Sequence, residues 1–217
     1  MSNTFKPGVN QMMDSKKSRD ASAAPSSALA SGRAPGPAVA LIEFKSIARG
    51  ITATDTMVKK APVTILEATP ISPGKYMTLI SGNVADVQEA LQAGLAKAGD
   101  LLVNHLFLPQ IHESIIPALA GQIQAGKIQS LGILETFSVA SCVVAADIAA
   151  KTSGAQLVKI RLANGLGGKA YFVISGLLSD VEASIESAAA HVRKEGLLTA
   201  VEIIQNPHPD LIAKGTF

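Results

Sequence analysis

Four sets of residues in this 217-residue chain have types that could do chemistry. Gly165-Leu166-Gly167-Gly168-Lys169 has the glycine density and the lysine of a phosphate cradle. A cradle must deliver the chain into a helix N-terminus, where amides and dipole face the anion. Here Ala170-Tyr171-Phe172-Val173-Ile174 follows, which is a strand pattern. The loop therefore reads as a tight, side-chain-poor turn where backbones approach one another, for instance around a symmetry axis. Cys142 is the sole cysteine and precedes an apolar helix, the setting of a small buried hydrophobe. His105, His112, His191 and His208 show no ligand spacing such as i, i+4. Glu43 and Glu135 could be called an acid/base pair, but they are symmetric copies and so share one structural job. No nucleophile–base arrangement can be built, so no enzyme is expected.

That symmetry is the main signal in the chain. Glu43 and Glu135, Ser46 and Ser138, Asp55 and Asp147, and Lys59 and Lys151 are all 92 positions apart. Lys75 with Lys169, Gly82 with Gly176 and Asp86 with Asp180 are 94 apart, and His112 with His208 is 96 apart. An offset that grows in two small steps is what loop insertions do to a duplicated unit of about ninety residues.

The elements that position these residues also repeat. In the first half, Ala38 to Phe44 reads as a strand and Ile51 to Ala61 as a helix stopped by Pro62. Val63 to Ala68 and Tyr76 to Ser81 read as strands around a proline-pinned loop, Thr69 to Lys75. Asn83 can cap a helix with Val87, Leu91 and Leu95 on one stripe. Leu101 to Leu108 is a strand, and Pro109, His112 and Pro117 bracket a short terminal helix. In the second half, strands are expected at Ile128 to Phe137, Leu157 to Leu162, Tyr171 to Ser175 and Thr199 to Ile204. Val143 to Lys151 is a helix. Ser179 and Glu182 form a capping-box pair opening another, with Val181, Ile185, Ala189 and Val192 on its buried face. Each half is thus strand, helix, strand, strand, helix, strand, short helix, an α/β sandwich with helices covering an antiparallel sheet.

Composition narrows the partners. Nearly half the chain is apolar but only 4% is aromatic, so the core is mostly Ala, Val, Ile and Leu. That suits small-residue packing and not stacking platforms for bases or sugars. Net charge is +2, with +3 carried up to Gly36 and −1 by the remainder. A nearly neutral folded part implies no nucleic-acid face. A lone cysteine fits a reducing compartment, and the apolar runs are too short to span a bilayer. Residues 1–37, rich in Ser, Ala, Pro and Gly, read as a flexible extension or as a segment that docks on a partner. The expected domains are 38–121 and 128–212, with a linker over 122–127 and a tail over 213–217.

The repeated pattern resembles a known family. Glu43-Phe44-Lys45-Ser46-Ile47-Ala48-Arg49-Gly50 with Asp55, Lys59, Pro73-Gly74-Lys75, Gly82-Asn83-Val84 and Asp86-Val87 resembles a bacterial microcompartment shell domain. Glu135-Thr136-Phe137-Ser138, Ala145-Ala146-Asp147 with Lys151, Gly165 to Lys169, Gly176, Asp180-Val181-Glu182-Ala183 and Pro207-His208 resemble a second. The resemblance covers about residues 38 to 212. It points to the tandem-domain, trimer-forming type, most like those of propanediol-utilisation compartments, and implies two ferredoxin-like domains. It implies a structural, non-enzymatic role in a compartment shell in the cytoplasm, as a homotrimeric pseudohexamer set edge to edge with other shell proteins. By the same resemblance Ile71, Ser72, Pro73 and Gly74 line a central pore for small polar metabolites, together with Gly165, Leu166, Gly167 and Gly168. Lys59, Lys151, His112 and His208 would lie at the tile edge. Some relatives hold an iron–sulfur cluster on the threefold axis through a Cys in the first of these loops. Ser72 occupies that position here, and a hydroxyl is a poor ligand for such a cluster, so no cofactor is expected. The alternative is a trimeric small-ligand sensor or regulator, which would need a pocket with convergent polar groups.

Overall fold

The computed structural model describes residues 35–123 and 128–215. The expected extension and linker therefore fall mostly outside the described residues. Order begins slightly earlier than the sequence suggested. Gly36 donates its N–H to Ser81 Oγ at 3.0 Å and accepts from the same hydroxyl at 3.1 Å, and Pro37 O accepts from Ile111 N.

The first half consists of β1 (Ala38–Phe44), α1 (Ile47–Lys60), β2 (Thr64–Ile71), β3 (Lys75–Gly82), α2 (Val84–Ala98), β4 (Leu102–Leu108) and α3 (Ile115–Leu119). The second half repeats it as β5 (Ser130–Thr136), α4 (Val139–Thr152), β6 (Gln156–Leu162), β7 (Ala170–Gly176), α5 (Leu178–Lys194), β8 (Leu198–Gln205) and α6 (Pro209–Ala213). Both sheets are antiparallel with matching strand orders, β2-β3-β1-β4 and β6-β7-β5-β8. Even the register irregularities coincide, falling between Ile65 and Glu67 in one and Leu157 and Lys159 in the other.

Three local differences from expectation have physical reasons. The first helix of each half begins a turn earlier, because Ser46 and Ser138 cap it, their hydroxyls accepting from Arg49 N and Ser141 N; hydroxyl caps satisfy otherwise orphaned amides. Helix α5 begins at Leu178 after an N-cap at Leu177, so Ser179 and Glu182 lie inside it and make no capping box. The loop at 69–75 shrinks to Ser72–Gly74, because β2 continues through Pro70, paired with Tyr76. An edge strand tolerates a proline whose missing N–H would face outward.

The core joins the two halves. Ala40, Ile42 and Phe44 turn one face of the first sheet toward its own helices, with Met57, Val87 and Leu91. Val39, Leu41, Met77, Leu79 and Leu106 turn the other face into a second cluster that includes Val139, Val143 and Ala146 of α4. Helix α4 packs on β1, β4 and α3 as well as on its own sheet. Ten of its fourteen residues are buried, against four of fourteen in α1. The two copies are alike in backbone and unlike in environment.

Candidate functional site

The two turns singled out in the sequence meet in space. Ser72–Gly74 connects β2 to β3 through a cis peptide before Pro73. Ala163–Lys169 connects β6 to β7, with Gly165, Gly167 and Gly168 at positive φ. A Cβ on Gly168 would lie 3.2 Å from Pro73 Cδ and 3.3 Å from Ser72 O. With φ at +89°, that position needs glycine for conformation as well as space. Pro73, Gly74, Gly165 and Gly167 are exposed, and Ser72 and Leu166 are partly so. Ile71 departs from the expectation. It is 3% exposed and lies in the core, so it anchors the turn and offers no surface to a pore. Gly168 is likewise buried, and its role is to let the two turns approach.

Behind the first turn sits a buried polar hub. Glu43 on β1 is fully buried. Its Oε2 accepts from Lys75 Nζ at 2.8 Å, the residue that ends the Ser72–Gly74 turn. Its Oε1 accepts from Ser138 Oγ at 2.7 Å and from Ala140 N at 3.2 Å. Asn104 Nδ2 also donates to Ser138 Oγ, at 2.8 Å. The carboxylate of the first domain thus caps the N-terminus of α4 in the second, where the helix dipole favours negative charge. One side chain ties the Ser72–Gly74 turn to the joint between domains. Glu135, its twin, lacks these contacts. It is 37% exposed and, among the described residues, pairs with the more open Lys169, at 3.3 Å.

The residues expected at a tile edge divide in the same way. His112 N donates to Asp147 Oδ1 at 2.7 Å, and Lys151 Nζ donates to Asp147 Oδ2 at 2.6 Å and to Gln110 O at 2.7 Å. The bonds from His112 to Asp147 and from Lys151 to Gln110 run between domains, and the group borders an open depression of about 510 Å³ with Ile111 and Glu113. Lys59 pairs with Asp55 at 2.7 Å on an exposed helix face. His208 accepts at Nδ1 from Asp210 N, capping α6. His112 Nδ1 accepts from Ser114 N in the same way. Sequence reasoning paired these residues by offset. It missed Asn104 and Ala140, which bond Ser138 and Glu43, and the caps at Ser46 and Ser138, although the 92-residue recurrence of the serines was the visible signal.

Cys142 is fully buried, and burial pushes its thiol well above the usual range, with a bond to Thr136 opposing the shift weakly. Among the described residues no three His, Cys, Asp or Glu are grouped to hold a metal ion. The native protein is expected to give no reaction with Ellman's reagent at mildly alkaline pH and one thiol per chain in denaturant, since the thiolate is the nucleophile. Rapid native labelling would contradict the core assignment.

A duplicated βαββαβ unit, with glycine-rich turns brought together and an inter-domain carboxylate cap, defines a tandem-domain building block. The chain belongs to the BMC domain family, whose pattern matches residues 38–111 and again 130–207. It is 42% identical over 174 residues to the bacterial microcompartment shell protein PduT of Citrobacter freundii, covering 80% of this chain and 95% of that protein. A carboxysome assembly protein, CcmO, of Synechococcus elongatus is 26% identical over 187 residues, covering 81% and 67% of the two chains. A crystal structure of a microcompartment protein from Desulfitobacterium hafniense superposes with a TM-score of 0.77 at 41% identity, over 81% of this chain and 98% of that one.

Proposed function

We propose that three copies of this chain close into one pseudohexagonal tile of a bacterial microcompartment shell, with a central pore. The chain is a structural shell protein and not an enzyme, and its compartment lies in the bacterial cytoplasm. Six domains from three chains take the places of six single-domain subunits, and the tile joins other shell proteins edge to edge.

The observation that carries the pore is the approach of the two turns at Gly168 and Pro73. Chain duplication puts both turns at the same place in their domains, so an axis that relates the domains gathers all of them. The rim is then formed by Ser72, Pro73, Gly74, Gly165, Leu166 and Gly167. Backbone amides, carbonyls and one hydroxyl per chain pass small polar metabolites by size and hydrogen-bond exchange. Lys75 is held back from the opening by Glu43, while Lys169 pairs more loosely with Glu135. No iron–sulfur cluster is held: Ser72 supplies no thiolate, and Cys142 is enclosed in the core. The lysines at the ends of α1 and α4, with His112 and His208, stand toward the rim of the tile, where Lys59 is exposed beside its partner Asp55.

Ser72→Cys tests the axis. Incubated with ferrous iron and sulfide without oxygen, the variant is expected to develop the visible absorbance of a thiolate-bound cluster, which the parent chain lacks. A short bis-maleimide linker is expected to join its chains on a denaturing gel. Thiols that stay isolated in both assays would place Ser72 away from a shared axis and remove the pore assignment.

A further inference from the structure

The turn at Ala163–Lys169 carries a dipeptide that the Ser72–Gly74 turn lacks. Asn164-Gly165 is the one asparagine–glycine pair in the chain, and no aspartate precedes a glycine anywhere. An asparagine carboxamide is an electrophile for the amide nitrogen of the next residue. The attack is slowed by a side chain on that residue, by a hydrogen bond that occupies the amide, and by bonds that hold the carboxamide. None of the three operates here. Gly165 sits at φ +73°, and a Cβ built on it would meet nothing within 4 Å, so the approach is open. Its N–H donates no hydrogen bond among the described residues, although Asn164 N donates to Leu162 O and Leu166 N to Ala163 O on either side. The Asn164 side chain is exposed and bonds to none of the described residues. The other described asparagines are each held. Asn83 Nδ2 donates to Asp86 Oδ2 at 3.1 Å, and the stiff, branched Val84 follows it. Asn104 Nδ2 donates to Ser138 Oγ, and its Oδ1 already accepts from His105 N, the amide that would have to attack. Asn206 precedes Pro207, which has no N–H.

We infer that Asn164 is a site of spontaneous covalent modification, at which water replaces the side-chain nitrogen by way of a cyclic imide. Gly165 N loses its proton to solvent base and attacks Asn164 Cγ. The bond from that nitrogen to Cγ forms, the Cγ–Nδ2 bond breaks, and Nδ2 leaves as ammonia. Water then opens the imide at either of its two carbonyls. One opening gives aspartate. The other gives isoaspartate, in which the main chain runs through the former side chain and is longer by one atom. Nothing is oxidised or reduced, and water is the only co-reactant. Each event adds one negative charge beside Gly165 and Leu166. The modification rests on the turn alone, while its consequence rests on the pore reading above. There it sets a carboxylate beside a rim of backbone groups and the Ser72 hydroxyl, where it repels anionic solutes. The isoaspartate form also lengthens the turn whose Gly168 is fitted against Pro73. The rim of an aged tile therefore differs in charge and shape from that of a new one.

The test is peptide mapping by mass spectrometry of the full folded chain, incubated at mildly acidic and at mildly alkaline pH. Ammonia release and labelling by an isoaspartyl methyltransferase are read in parallel. Asn164 is expected to convert at least about tenfold faster than any other asparagine, a barrier lower by about 1.4 kcal/mol. Conversion is expected to be faster at the alkaline pH, because the attacking amide must first lose its proton. Asn164→Gln keeps the carboxamide but needs a larger ring to cyclise, and it is expected to abolish the methyltransferase signal. Asn164 that stays an amide in the folded chain overturns the inference, and conversion in urea alone would show that the fold protects it. Equal conversion at Asn83 would overturn it as well, since the turn would then confer nothing. If Asn164 converts and the thiols of Ser72→Cys stay isolated, the modification stands and the pore falls. If Ser72→Cys chains are joined and Asn164 stays intact, the pore stands and the modification falls.

Discussion

Glu43→Ala is expected to lower the unfolding free energy of the chain by about 3–5 kcal/mol, the range for removing one partner of a buried ion pair. Three groups lose their acceptor at once. Lys75, only 17% exposed, keeps its charge without a counter-ion. Ser138 Oγ and Ala140 N, both in the joint between domains, lose the carboxylate oxygen they share. The same substitution at Glu135 is expected to cost under about 1 kcal/mol, because a half-exposed pair is screened by water. Urea unfolding of the two variants compares them directly. Equal losses at Glu43 and Glu135 would show that the hub is not the fastening between the domains.

The second large effect lies at Gly50 and Tyr76. A Cβ on Gly50 would fall onto Tyr76 Cδ1 and lie 2.6 Å from its Cγ, so the helix can pass over that ring only as glycine. In the second domain the same helix position is Cys142, and the ring is replaced by Ala170, the strand residue in the matching register. The duplicated unit has filled one space in two ways, with a large strand residue under glycine or a small one under cysteine. Gly50→Cys alone is expected to cost about 1–3 kcal/mol or more through overpacking. Tyr76→Ala alone is expected to cost about 3–5 kcal/mol through the cavity left under α1. Together the two reproduce the second domain's solution, so their combined loss should fall short of the sum by at least about 1 kcal/mol. A double-mutant cycle in urea measures this coupling, and strict additivity would rule the exchange out.

Much of the fold was legible because repetition doubles every local signal. The order of elements, the buried stripes at Val87 and Leu91 and at Val181 and Ile185, and the terminal helices beside His112 and His208 were readable from spacing. The errors were local contests between plausible signals. Pro70 looked like a loop residue because its place on an edge strand is a tertiary fact. Ser179 and Glu182 had the letters of a capping box, but β7 delivers the chain into the helix at Leu177. Ser46 and Ser138 were noticed as repeats and not as caps, because neither helix carries an acidic residue in its first turn.

The site was legible in part. The turns at Ser72 and at Gly165 to Gly168 were found by composition and position, and Gly168 does lie against Pro73. Ile71 was misplaced because alternation along β2 points it into the core, and one residue of register exchanges rim for interior.

By itself the sequence determined two copies of one unit, their elements, and the polar residues that recur at matched positions. It could not distinguish the members of a pair. Only the tertiary structure decided that Glu43 is buried and Glu135 open, that Lys151 is tied to Gln110 while Lys59 is free of the other domain, and that Val143 is core where Ile51 is surface. The reason is connectivity. A linear chain of two like domains makes one domain–domain joint, so one set of twins finds its complement inside the molecule and the other is left facing out.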